Sequence, residues 1–450
     1  MPDPTKRIAA YIAAAASVDL PPAVVEKTKL HLLDTLAAML SGSRLRAGTL
    51  GQDIAAELGG HPEATVIATS LTTSAPHAAL ANGMAAHADE TDDSHLAGRF
   101  HPGCAVVPAA LAMAERGGKS GAELLRAIAL GYDIGVRFTL ALGFSGPRTG
   151  THSTHSLGAN FGAAAAAGAL AGLTTEQCIH LLSYAVQQAS GLPYWQRDPD
   201  HVEKAFVFGG MGARNGVYAA LMVAAGWTGV VDPLVGDHGY LDGFAENRDP
   251  AALSAELGER FEIVRASIKK WCVGSPIQAA LDSLSALMVE HRLNSGQVAK
   301  LTVHIPDDRF AIVDNRDMPD VCLQHLLALM LVDGGLTFET SHDKARMSDR
   351  AVLEMRRRVS AVPSPELTIA RPARQAIVEI DATDGRHLSH RTRAVLGTPE
   401  NPMSVSDVTG KARDLIEPVL GGQRSRQLID CVLKIESLGP VHALRPLLQA

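Results

Sequence analysis

The chain has 450 residues, a formal charge of −7, 46% hydrophobic residues and only 4% aromatics. That is enough apolar material for more than one domain, and the acidic balance excludes the sequence-wide basic surface that nucleic acid requires. With few aromatics and much alanine, the core has to be built by helices lying close together, so the expected fold class is mainly α.

Lys6-Arg7 ahead of Ile8 to Val18 imitates a short secretion signal. Tyr11 and the alanines make that run only weakly apolar, and it continues through Asp19 into Pro21-Pro22, so it reads as a first helix. Five cysteines, Cys104, Cys178, Cys272, Cys322 and Cys431, stand far apart without C-x-x-C spacing. This excludes a cysteine-rich zinc or iron–sulfur site and points to a reducing, cytoplasmic compartment. No apolar run reaches the roughly 20 residues that a bilayer needs, so no membrane partner is expected.

From Val24 to Leu40 the apolar positions Val25, Leu32, Leu33, Leu36, Ala37 and Leu40 recur at helical spacing. Ser41-Gly42-Ser43 ends that helix, a second runs to about Leu58, and Gly59-Gly60-His61-Pro62 breaks the chain before a short extended piece, Ala64 to Ala68. Pro76 to Ala86 and Pro108 to Ala114 are predicted as buried helices. Between them, His87 to Gly103 carries four acids, three histidines and an arginine in a connection held by rigid neighbours, which is where chemistry is expected.

Gly121 to Phe144 is predicted helical, and a turn at Gly146 to Gly150 leads to the polar patch Thr151 to Ser156. Leu157 to Leu170 is so rich in glycine and alanine that it must be a central helix, with His152 and Ser153 at its amide-presenting end. Thr174-Thr175-Glu176-Gln177 forms a capping box for a helix over Glu176 to Ala189, which Gly191-Leu192-Pro193 stops. Lys204 then precedes a glycine run, 205–216, and an alanine-rich helix over Val217 to Ala225. The glycines are not spaced as a dinucleotide fingerprint and no strand precedes them. After about Ile263 strands appear, at Lys300 to Ile305, Gln375 to Asp381 and Leu388 to Val395, with Asp384-Gly385 as a tight turn. Ser404 to Asp407 and Leu428 to Leu438 return to helix. The expected organisation is an all-helical domain over 1–264 and 401–450, with an α+β domain over 265–400 inserted in it.

Taken together, Asn82-Gly83, Asp92-Asp93-Ser94, His101-Pro102-Gly103, Thr151-His152-Ser153, Lys204 before Ala213-Arg214-Asn215-Gly216, Lys269-Lys270-Trp271 and Leu331 to Gly335 resemble the MmgE/PrpD family over nearly the whole length. Its members include 2-methylcitrate dehydratase, cis-aconitate decarboxylase and iminodisuccinate epimerase. The resemblance implies a large domain of packed antiparallel helices with a smaller α+β lid inserted, commonly a homodimer. It also implies a cleft binding small di- or tricarboxylic acids with no metal or organic cofactor. It assigns His101, His152, Lys204 and Lys269 to catalysis, and Glu90, Asp93, Ser94 and His325 to substrate binding. The chain departs from the family at Glu90, where an aspartate is usual, at Cys272, Gly274 and Gln278, and at His325, where a decarboxylase member has tyrosine.

Eliminating water from a β-hydroxy acid needs a base beside a carboxylate, an acid for the departing hydroxyl, and cations for the carboxylates. Histidine suits the first two roles, while lysines and helix-start amides suit the third. The leading expectation is a hydro-lyase, with a decarboxylase or epimerase as the alternative. A divalent-metal hydrolase using Asp92, Asp93, His95, His101 and His152 is more remote, and a non-enzymatic helical scaffold is the third reading.

Overall fold

The computed structural model describes residues 3–144, 151–245 and 247–449, so the turn expected at Gly146 to Gly150 lies outside the described residues. The chain divides into two compact units, one of Met1–Ala88, Asp92–Ser267 and Val408–Ala450, the other of Asp89–Thr91 and Ile268–Asp407.

The larger unit is helical. Its helices are α1 (Pro4–Ala14), α2 (Pro22–Gly42), α3 (Arg46–Leu58), α4 (Ala75–Ala86), α5 (Gly103–Arg116), α6 (Gly121–Leu140), α7 (Thr154–Leu170) and α8 (Thr175–Gln187). They are followed by α9 (Val202–Ala205), α10 (Met211–Ala224) and α11 (Tyr240–Phe244). The extended piece after α3 is a two-residue strand β1 (Ala64–Thr65) paired antiparallel with β2 (Thr72–Thr73). Helix α7 is the centre, packed by α5, α6 and α10. Glycine makes this possible: a Cβ at Gly162 would lie 2.6 Å from the Gly131 carbonyl oxygen, and one at Gly216 2.5 Å from the backbone of Ala163 and Ala164. The capping box at Thr174 and Gln177 forms as the spacing predicts. One prediction needs correcting: α10 begins at Met211, not at Val217, and a π-helical turn over Phe206–Gly210 precedes it. The glycine run is therefore helical, because it crosses α4 closely; a Cβ at Gly209 would meet the Gly83 carbonyl oxygen at 2.1 Å. Among the described residues, no single helix is long and apolar enough to cross a membrane.

The smaller unit contains α12 (Gln278–His291), α13 (Asp307–Val313), α14 (Leu323–Asp333), α15 (Phe338–His342), α16 (Arg350–Arg356) and α17 (Pro365–Ile369). Its four-stranded sheet has the order β4-β3-β5-β6, from β3 (Val298–Pro306), β4 (Val359–Ser364), β5 (Ala376–Ala382) and β6 (His387–Thr392). Strand β3 runs parallel to β4 and antiparallel to β5, and the β5–β6 hairpin turns at Gly385, whose φ is 88°. Alternate residues Leu301, Val303 and Ile305 of β3 and Val378 and Ile380 of β5 bury against leucines of α12 and α14. Strand β4 was not predicted; it is a half-exposed edge containing Pro363, which breaks the usual strand pattern. The element α18 (Val405–Leu433) carries the chain back into the larger unit and is broken at Gly421 (φ 77°, ψ 157°), so it is two helices end to end, as expected, the second starting ahead of Leu428. A short α19 (Arg445–Leu448) follows.

Candidate active site

The acidic connection sorts its neighbouring carboxylates into two environments. Asp93 is fully buried and accepts hydrogen bonds from His31 Nδ1 (2.6 Å), the Tyr132 hydroxyl (2.5 Å) and the Gly103 amide (3.0 Å). Burial alone raises its pKa, but His31 and Tyr132 together outweigh that and hold the carboxyl below its ordinary value. Its bond to Gly103 satisfies an amide at the start of α5, where no side chain of the capping residue does so. A Cβ at Gly103 would lie 2.5 Å from Thr35 Oγ1 and 2.9 Å from Asp93 Oδ1, which explains the glycine after His101-Pro102. Asp93, expected in substrate binding, is thus engaged in holding α2, α5 and α6 together.

Asp92 points the other way along the chain's chemistry. His87 Nδ1 donates to its Oδ2 (3.0 Å) and His101 Nδ1 donates to its Oδ1 (3.1 Å), with both carboxylate and His87 fully buried and His101 8% exposed. One carboxylate therefore fixes the tautomer of two imidazoles and leaves the Nε2 edge of each as the basic one. Around them stands an aromatic group. Phe208, from the π-helical turn, stacks on His87 (4.4 Å) and on His155 (3.9 Å), while His101 lies 4.9 Å from His87 and 5.5 Å from His155. His201, held at φ 60°, lies 5.2 Å from His87. Lys204 Nζ sits 5.3 Å from the Phe208 ring and 5.6 Å from Trp195, whose indole nitrogen donates to Ser153 Oγ (3.2 Å). These contacts give the ammonium group a fixed place beside the imidazoles.

His101 and Lys204 thus share one aromatic cluster. His152, expected as a second base, lies edge-on to Phe244 at 5.0 Å, and the helix α7 imidazole in ring contact with His101 is His155. His155, His87 and His201 were not selected from the sequence. The signal available was the spacing of His87, Asp92 and His101 about one carboxylate, which no helical or strand period makes visible. His95 is buried and 3.4 Å from Glu262, so it belongs to the interior. Ser94 pairs through its backbone with Ser267 at 3.0 and 2.8 Å.

The remaining expected residues belong to the smaller unit. Lys269 is 3% exposed; its Nζ donates to the Glu90 carbonyl oxygen (2.6 Å) and stands 3.6 Å from Glu90 Oε2. His325 is buried on α14 with neither ring nitrogen hydrogen-bonded among the described residues. Burial, followed by the charges of Arg356 and Arg346, pushes its pKa down to about 4, so the imidazole is neutral.

His87, Asp92 and Cys104 have ligand atoms within 4.8 Å of one another, close enough for one cation. Each already serves a neighbour, since Asp92 accepts from both imidazoles and the Cys104 thiol donates to the carbonyl oxygens of His101 (3.2 Å) and Phe208 (3.4 Å). A metal would have to displace that network, so the donor set suits proton transfer better than metal binding.

Comparison with known proteins adds to this geometry. The chain matches the MmgE/PrpD N-terminal domain over residues 6–253 and the MmgE/PrpD C-terminal domain over residues 271–436. It is 27% identical to a cis-aconitate decarboxylase of Aspergillus terreus over 99% of this chain and 95% of that protein. It is 24% identical to a cis-aconitate decarboxylase-like protein of Aspergillus oryzae over 99% and 97% of the two chains.

Proposed function

Because the chain belongs to the MmgE/PrpD family, we propose that it is a cofactor-independent lyase acting on a small di- or tricarboxylic acid, and within that class a hydro-lyase. The observation that carries the reading is the Asp92 carboxylate shared by His87 and His101. An imidazole whose Nδ1 proton is held by a buried carboxylate takes a second proton at Nε2 with its positive charge already balanced.

In the proposed reaction, His101 Nε2 removes the proton from the carbon next to a substrate carboxylate. The electron pair passes into that carboxylate as enediolate charge, which Lys204 stabilises. The pair then returns to form the carbon–carbon double bond as the β-hydroxyl leaves, and His155 supplies the proton that makes it water. Lys269 and Glu90 are assigned to the same reaction as carboxylate-binding and proton-sharing groups, with Ser94 and His325 as further substrate-binding residues.

A second reading is favoured by the cis-aconitate decarboxylases among the relatives. In it the bond to a carboxylate breaks, carbon dioxide leaves, and His101 delivers a proton to the resulting carbanion.

A turnover panel of citrate-, malate- and aconitate-type acids, read by ultraviolet absorbance of the alkene and by carbon dioxide release, separates the two. We expect alkene to appear from hydroxy acids and His101→Asn to lower kcat by about 10²- to 10⁴-fold with melting temperature unchanged. Carbon dioxide from an unsaturated acid, with no alkene from any hydroxy acid, replaces the hydro-lyase with the decarboxylase. Ordinary turnover in His101→Asn removes this mechanism.

A further inference from the structure

The segment Asp89–Thr91 belongs to the smaller unit although the chain on both sides of it belongs to the larger one. What holds it is a buried polar cluster. Asp89 Oδ1 accepts from the Thr91 amide (2.8 Å) and its Oδ2 from the Thr91 hydroxyl (2.7 Å), which closes a tight turn with Glu90 at its apex. The same Oδ2 lies 2.9 Å from His342 Nε2, at the last position of α15. His342 is itself anchored: its Nδ1 donates to the Phe338 carbonyl oxygen (2.7 Å) and its ring stacks on Phe338 at 4.3 Å. With Nδ1 committed as a donor, Nε2 meets the carboxylate as an ion pair of the doubly protonated ring, close in distance but without the alignment of a hydrogen bond. Lys269 grips the next residue, donating to the Glu90 carbonyl oxygen at 2.6 Å and standing 3.6 Å from its carboxylate.

We propose that His342 is a positioning residue: by clamping Asp89 as an imidazolium, it holds the Asp89–Thr91 turn in the arrangement that sets Glu90 against Lys269. The inference rests on the proposed function in taking Glu90 and Lys269 as working residues, and the clamp itself stands on its own geometry. The anionic groups facing His342 are Asp89 and, from the turn Pro319–Val321, Asp320. Burial lowers the pKa of His342, but Asp89, then Asp320 and the Phe338 carbonyl, outweigh it and raise the group from 6.5 to about 9. Since the folded value lies above the unfolded one, the stabilisation is fully present below 6.5 and is lost as pH rises through about 9.

The test compares wild type with His342→Asn, His342→Gln and Asp89→Asn. In the first arm, histidine ring NMR follows the resonance that His342→Asn removes. Its midpoint is expected at about 9 in wild type and lower by about one unit or more in Asp89→Asn. In the second arm, kcat and KM are measured from about pH 6 to about pH 10 on the best acid of the panel. His342→Asn keeps a donor for Phe338 but loses the clamp, so kcat/KM is expected to fall about tenfold or more at neutral pH, with the alkaline decline of the wild type gone. His342→Gln, whose amide reaches toward the place of Nε2, is expected to recover part of that loss. A resonance titrating at 6.5, or one indifferent to Asp89→Asn, overturns the clamp. A folded His342→Asn whose kcat/KM stays within about twofold of wild type overturns the positioning role. If the wild type turns over no acid in the panel, the proposed function fails while the NMR arm still decides the clamp.

Discussion

Asp92 and Asp93 are adjacent, chemically identical and both buried, yet their partners give them opposite duties. Asp93 serves three donors from α2, α5 and α6, while Asp92 serves the two imidazoles beside Lys204 and Phe208. Replacing each by asparagine separates fold from chemistry. Asp93→Asn places an amide donor against groups that are themselves donors and removes a buried charge from its partner, so it is expected to cost about 3–5 kcal/mol of stability, read from denaturant midpoints. Asp92→Asn is expected to leave the midpoint nearer to wild type and to lower kcat by about 10²- to 10⁴-fold, because His101 loses both its tautomer lock and the balancing charge. Equal stability losses with unchanged kcat in both variants would refute this division. From the sequence, the loop could be selected because its charges stand between apolar helices. Which carboxylate faced inward could not be read, because an irregular loop has no period to tell one side from the other.

At the scale of elements, several glycines of the larger unit are contact points between helices. Gly83 meets the backbone of Gly209, Gly131 that of Gly162, and Gly216 that of Ala163 and Ala164. This is why the central helix α7 could be predicted from composition alone: a run of glycine and alanine is stable only when other backbones lie against it. The start of α10 was misplaced for a related reason, since glycines discourage helix in isolation and tertiary packing overrides that preference here. Gly216→Ala tests the close approach. Its new Cβ would meet backbone atoms at 2.5 Å, which no rotamer change relieves, so the helix pair must separate. The expected cost is about 1–3 kcal/mol, seen as a lower melting temperature, although alanine is the better helix former. An unchanged or raised melting temperature would mean that the crossing is looser than its geometry implies. The edge strand β4 and the short strand β2 were hard to read from sequence because each is stabilised by its partner's register more than by its own residues, whereas β1 falls in the extended piece expected at Ala64 to Ala68.

The larger unit takes in both ends of the chain, and buried or partly buried ion pairs fasten the returning end. Lys411 of α18 donates to Asp34 of α2 at 2.6 Å, Glu436 pairs with Lys29 at 3.0 Å, and Arg445 with Glu115 at 3.3 Å. Among these, Asp34 and Lys411 lie deepest, at 1% and 8% exposure. Burial raises the Asp34 carboxyl from 3.8 to about 6, with the Lys411 charge opposing the rise. Between those two values the folded protein holds the proton that the unfolded chain has released, so this group lowers stability as pH rises from about 4 to about 6 and adds no further slope above. Lys411→Met removes the opposing charge. Above about 6 the variant must either keep an unpaired buried carboxylate or stay protonated against the solvent, and the second route caps the expected cost at about 1.4 kcal/mol per pH unit, or about 3 kcal/mol at about pH 8. Below about 6 the wild-type carboxyl is itself neutral, so the two proteins converge. Denaturation at about pH 5 and about pH 8 should therefore show a small difference at the lower pH and a large one at the higher. The same penalty at both pH values would mean that Lys411 contributes through the packing of its stem rather than through its charge.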